Sequence, residues 1–147
     1  MKMSTRRHDS IVTATLGFAA GGAGDGVVYV SLAGAAANDG DGLVRVAFRC
    51  RPLPALRGRD IAYAALEAAA HRLSDRRQAI RFAIDDEALV ADLTEHRPVP
   101  TALTVPYVRA QCALNRLGTA TVVAEADRTV RDLTARARAE VALDVAA

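Results

Sequence analysis

The sequence predicts an α/β domain: a five-stranded mixed sheet, with three antiparallel N-terminal strands followed by parallel ones, helices on both faces, and the order βββαβααβα. Three observations predict it. Three β-branched, apolar runs follow one another on short connections in the first third of the chain. Beyond Pro52 and Pro54 the apolar period changes from that of a strand to that of a helix. From there helical and extended segments alternate, and a strand–helix–strand connection favours parallel pairing.

Each element has its own warrant. Residues 1–9 are polar and basic and read as a flexible tail, leaving 10–147 as one domain. Ile11 to Phe18 reads as the first strand, Ala19 to Gly26 as a Gly-rich connection, and Val27 to Leu32 as the second strand. Asn38-Asp39-Gly40-Asp41-Gly42 is a hairpin signal, after which Leu43 to Cys50 alternates as a third strand. Asp60 is a candidate cap for a helix to about Leu73, with Ile61, Ala65, Leu66, Ala69 and Leu73 on its apolar face and Arg72, Arg76 and Arg77 at the end its dipole favours for cations. Ile80, Phe82 and Ile84 alternate in a fourth strand, and Asp85 or Asp86 caps a short helix to about Leu93. Thr94 to Pro100 is a loop. Thr104 and Pro106 open a helix carrying Val108, Cys112 and Leu117, which Gly118 ends. Thr119 to Glu125 is the fifth strand; Asp127 caps a last helix with Val130, Leu133, Ala137 and Val141 on one face.

Composition narrows the function. The chain has 147 residues, 51% apolar and 24% charged, as expected of a globular domain. Lys2 is its only lysine among 19 basic residues, so the arginine richness reflects a coding bias as much as a partner. The net charge of +2 is low for a protein held on nucleic acid by charge alone, so any basic patch is local. No apolar run is long enough to span a bilayer, and no apolar stretch or cleavage site follows the basic start, so neither membrane attachment nor a secretory signal is expected. Cys50 and Cys112 form no metal or disulfide pattern, which fits a reducing cytoplasmic compartment.

The order and lengths resemble the type 1 ribonuclease H domain from about Ser10 to Leu143. IVTATLGFAAGGAGDGVVYVSL is similar to that family's first two strands and the turn between them. DIAYAALEAAAHRL resembles its first helix, IRFAIDDEALVADL its fourth strand and following helix, and TATVVAEADRTVRDLTARARAEV its last strand and helix. The resemblance implies four carboxylates around two divalent metals, which activate water and stabilise the leaving oxygen of a phosphodiester. Carboxylate oxygens suit Mg²⁺ or Mn²⁺.

Residue by residue, that set is broken. Leu16 stands at the first acid position and Ala62 at the second. Asp85 matches the third, with Asp86 in the usual serine position. Arg131 takes the fourth when Leu133 is aligned with the family leucine; a one-residue shift gives Asp132. The resemblance therefore implies catalytic residues Asp85 and Asp132, with Asp85 a metal ligand, only if activity survives. The hybrid-binding stretch before the first helix reads Arg57-Gly58-Arg59-Asp60; with Arg128 and Arg131 these arginines are the candidate nucleic-acid contacts, able to meet phosphates without distinguishing RNA from DNA.

Plainer explanations stand beside the chemical ones. Asp85-Asp86-Glu87 is also an ordinary helix start. GGAGDG is followed by a strand, so it is a turn and not a phosphate loop. Tyr63 and Tyr107 sit at core spacing, while His71 and His96 have no nucleophile partner. The expected function is a ribonuclease H-like domain that has lost its nuclease centre and acts as a nucleic-acid-binding or scaffolding module. No cofactor is expected, and the partner is an RNA/DNA hybrid, a duplex or a protein. The alternatives are an active, divergent Mg²⁺- or Mn²⁺-dependent endonuclease on RNA/DNA hybrids, and a protein-interaction domain with no nucleic-acid role.

Overall fold

The computed structural model describes residues 11–34, 42–76 and 78–146. Strands β1 (Val12–Ala20), β2 (Asp25–Ala33) and β3 (Leu43–Arg49) are followed by helix α1 (Arg59–Arg72). Strand β4 (Ile80–Ile84), helices α2 (Glu87–Glu95) and α3 (Thr104–Arg116), strand β5 (Ala120–Ala124) and helix α4 (Arg128–Ala146) complete the chain. The expected order βββαβααβα is the one observed. The tail expected over residues 1–9 and the turn signal at Asn38-Asp39-Gly40-Asp41 lie outside the described residues, as does Arg77.

The sheet order is β3-β2-β1-β4-β5. β1 pairs antiparallel with β2, and β2 with β3, while β1 pairs parallel with β4 and β4 with β5. Strand alternation divides the apolar residues between two faces. Val12, Ala14, Leu16, Val28, Val30, Ile80, Phe82 and Ile84 pack against α1, α2 and α3. Val27 and Tyr29 face the other way, onto Leu133 and Ala137 of α4, with Ala19 and Val141 at the margin.

Two helical faces differ from expectation. In α1 the buried set includes Ala62, Tyr63 and Ala70 beside Ala65, Leu66 and Ala69, whereas Ile61 is only half-buried. The helix is covered from two sides, by the sheet and by α3, so no single stripe describes it. Asp60 is not its cap: Gly58 holds that place at φ 86°, and Asp60 lies inside the first turn. There its buried carboxylate accepts the Leu53 N–H at 2.8 Å, tying down the chain that enters the helix. In α3 the buried residues are Ala110, Ala113 and Leu114, while Val105, Val108 and Cys112 are exposed. Alanines allow close approach to α1, and the bulkier Val108 and Cys112 turn outward. Both cysteines are free thiols.

Candidate functional site

In an open α/β sheet, the carboxyl ends of parallel strands are where ligands bind. Thr15 of β1 is paired with Ala83 of β4, so Leu16 stands just past the end of that ladder. Asp85 follows Ile84 at the same end. Glu125 N–H donates to the Ile84 carbonyl at 3.0 Å, which carries the chain from β5 past the end of β4 and into α4. Asp127 caps α4 by accepting the Val130 N–H at 3.0 Å, as expected of an N-cap aspartate.

The residues at the four positions where the resemblance implies acids differ in character. Leu16 and Ala62 are fully buried and belong to one apolar cluster with Tyr63 and Leu66. Asp85 is exposed. Asp86, not Asp85, caps α2, its Oδ1 accepting the Leu89 N–H at 2.9 Å. Arg131 and Asp132 are both exposed, and Asp132 lies 3.9 Å from Arg128 one turn away. Among the described residues no three His, Cys, Asp or Glu side chains come together as a metal site. The residues at the implied positions do not fit a two-metal centre: Leu16 and Ala62 are hydrocarbon inside the core, and aligning Leu133 with the family leucine puts Arg131 at the fourth position.

Two carboxylates are buried, Asp60 at the start of α1 and Asp92 on α2. Asp92 on α2 is almost wholly covered and accepts from Arg59 Nη1 at 2.9 Å and from Tyr63 Oη at 2.9 Å, with Arg97 at 3.9 Å. Burial, reinforced by this hydrogen bond, pushes the Tyr63 phenol far above its ordinary range. Tyr63 also meets the Tyr107 ring edge-on, at 6.3 Å between centroids. Tyr107 Oη is 3.4 Å from His96 Nδ1 and accepts from Gln111 Nε2 at 3.2 Å. Tyr63 is legible as core from its helical spacing, but nothing in the sequence marks Asp92, a lone acid between Leu89 and Leu93 that shares their buried face.

This network decides which candidate arginines are available. Arg59 is committed to Asp92 and mostly covered. Arg57 is exposed, in a left-handed conformation at φ 52°, and makes no ion pair among the described residues. Arg131 is likewise exposed and unpaired among them, and Arg128 is almost fully exposed beside Asp132. His71 is a helix-surface residue, 3.5 Å from Glu67.

A second network pins the far end of α4. Glu140 accepts from Arg45 Nε at 2.9 Å on both oxygens, from Arg45 Nη2, and from Tyr29 Oη. Arg45, then Tyr29, hold the Glu140 carboxyl down at about 2. Arg136 lies 4.8 Å above the Tyr29 ring. Beside this network is a cavity of about 520 Å³, floored by Val27, Ala47 and Val141. None of Leu16, Ala62, Asp85 or Arg131 lines it.

No helix among the described residues is long and apolar enough to cross a membrane. No protein-family model and no curated protein matches the sequence. Solved structures do. Ribonuclease H1 from the halophilic archaeon Halobacterium salinarum NRC-1 superposes with a TM-score of 0.65 at 21% identity, over 91% of this chain and 98% of that one. The N-terminal ribonuclease H domain of rv2228c from Mycobacterium tuberculosis gives 0.63 at 16%, over 92% and 99%. LC11-RNase H1, in complex with an RNA/DNA hybrid, gives 0.58 at 12%, over 88% and 97%. The fold of this chain is ribonuclease H-like.

Proposed function

We propose that this chain is a nucleic-acid-binding module on a ribonuclease H-like fold, with the two-metal hydrolytic centre lost. One observation carries the reading: Leu16 and Ala62, at two of the acid positions, are packed inside the core beside Tyr63 and Leu66. Neither can ligate a cation, and an acid substituted there would be desolvated among hydrocarbon. The likeness to a structure holding an RNA/DNA hybrid supports nucleic acid as the partner. Arg57 would meet phosphates before α1, and Arg131 and Arg128 at the start of α4. Such contacts give affinity and register but carry no base information. The free thiols fit a reducing, cytoplasmic setting.

The test has two arms. A labelled RNA/DNA hybrid is incubated with the protein in Mg²⁺ and in Mn²⁺, with Asp85→Asn alongside. No cleavage by either protein is expected; cleavage by the native chain that Asp85→Asn abolishes would overturn the loss of the centre. The hybrid is then titrated by fluorescence anisotropy at several salt concentrations. Binding that weakens with salt, and weakens further in Arg57→Ala and Arg131→Ala, is expected. Absence of binding at low salt would leave the protein-interaction reading in its place.

A further inference from the structure

The two edges of the sheet are unlike. Strand β3 carries Arg45 and Arg49, which are ion-paired to Glu140 and Asp25, a charged edge of the kind that discourages further pairing. Strand β5, Ala-Thr-Val-Val-Ala, has no charge and no proline, and its register with β4 runs unbroken from Ala120 to Ala124.

Two hydrogen bonds fix which way the β5 backbone points. Ile80 N–H donates to the Thr119 carbonyl, and Glu125 N–H to the Ile84 carbonyl, both at 3.0 Å. Residues of one parity face the neighbour in a parallel ladder, so Thr119, Thr121, Val123 and Glu125 face β4. Ala120, Val122 and Ala124 therefore aim their N–H and C=O groups outward, and these have no hydrogen-bond partner among the described residues. They open onto a groove of about 290 Å³ bounded by Leu93 of α2 and Leu114 of α3.

We propose that the β5 edge pairs antiparallel with β5 of a second copy, joining two sheets about a two-fold axis through Val122. That axis sets Val122 opposite itself and Ala120 opposite the second copy's Ala124, with two bonds at each of three pairs, about six in all. Charge favours the antiparallel direction and a second copy as occupant. The exposed acids Glu125 and Asp127 follow the strand directly, with Arg128 beyond them paired at 3.9 Å to Asp132, and the exposed Arg116 precedes it. Antiparallel pairing brings the acidic end of each copy to the Arg116 end of the other, whereas parallel pairing sets like against like. On the face opposite Val122, Thr121 lies across from the second copy's Val123, a cross-strand pair of β-branched residues. Two five-residue strands bury less than a standard interface, so association is weak and appears only at high concentration.

Sedimentation from about 5 to about 500 μM tests it, a range chosen for an interface below standard size. The mass is expected to rise towards that of a dimer, with hydrogen exchange at the Val122 amide slowing in parallel. Thr121→Lys with Val123→Lys places like charges across the axis, and at least a tenfold weakening is expected; Thr121→Glu with Val123→Glu should do the same. An equimolar mixture of the two variants should associate again, which a merely misfolded variant would not. A native chain that stays monomeric throughout, variants that associate as the native chain does, or a mixture that stays monomeric would each overturn the proposal.

Discussion

Gly17 of β1 lies directly against the backbone of Leu133: a Cβ placed on Gly17 would stand 2.4 Å from the Leu133 carbonyl carbon and 2.3 Å from the Thr134 nitrogen. Both are far inside van der Waals contact, and the obstacle is helix backbone, which cannot rotate away. Helix α4 reaches its depth on the sheet because this position has no side chain. Gly17→Ala is expected to destabilise the fold by about 3 kcal/mol, at the high end of overpacking costs. Urea unfolding of the two proteins measures it; an unchanged midpoint would show that α4 can lift at no cost.

The Glu140 carboxyl ordinarily titrates near 4.5 and is held at about 2 by Arg45 and Tyr29. A carboxyl lowered in the folded state stabilises it above the ordinary value, and that contribution fades as pH falls from 4.5 towards 2. Glu140→Gln is therefore expected to cost about 1 kcal/mol near neutrality, since the site is partly solvated. The gap from the native chain should close in strong acid. Unfolding at neutral and acid pH tests the sign: a gap that widens on acidification would contradict the geometry.

Asp92 is a buried charge held by Arg59 and Tyr63. Removing one partner of such a set leaves the others unpaired in a covered place. Asp92→Ala is expected to cost about 3–5 kcal/mol. The raised Tyr63 phenol makes a second, independent readout. In an alkaline ultraviolet titration Tyr63 should stay protonated until the chain unfolds, and in Asp92→Asn it should ionise at lower pH than in the native protein.

Asp85 and Asp86 are adjacent, but only Asp86 caps α2. Asp86→Ala is expected to cost about 1 kcal/mol. Asp85→Asn should leave stability within about 0.5 kcal/mol of the native chain, as exposed substitutions do. Thermal melts of both, read together, check the assignment.

What the sequence made legible followed the range of the interactions. Element order and the buried face of α4 were readable because each rests on local periodicity: Val130, Leu133 and Ala137 pack as expected, with Val141 at the margin. The face of α3 was misread because Val108 and Cys112 are more apolar-looking than Ala110 and Ala113, yet close helix packing selects small volume. The acid positions are legible only through the family resemblance, which implies where they fall. Asp92 had no template, and the Tyr29–Glu140 contact joins residues 111 apart, beyond any local pattern.

The double cover of α1 has a consequence for how the chain reaches this state. A helix buried by the sheet on one side and by α3 on the other carries small contacts at Ala62, Ala65, Ala69 and Ala70 beside the larger Tyr63 and Leu66, so its apolar surface is spread over two sides and not gathered in one stripe. Its first partner leaves the opposite side wet, and alanine burial on a single side returns little free energy. Docking of α1 should thus wait for α3, which is synthesised later, so a nascent chain ending before Thr104 holds four strands, α2 and an α1 still open on one side. The last-made third of the polypeptide sets when the first two-thirds become a folded protein.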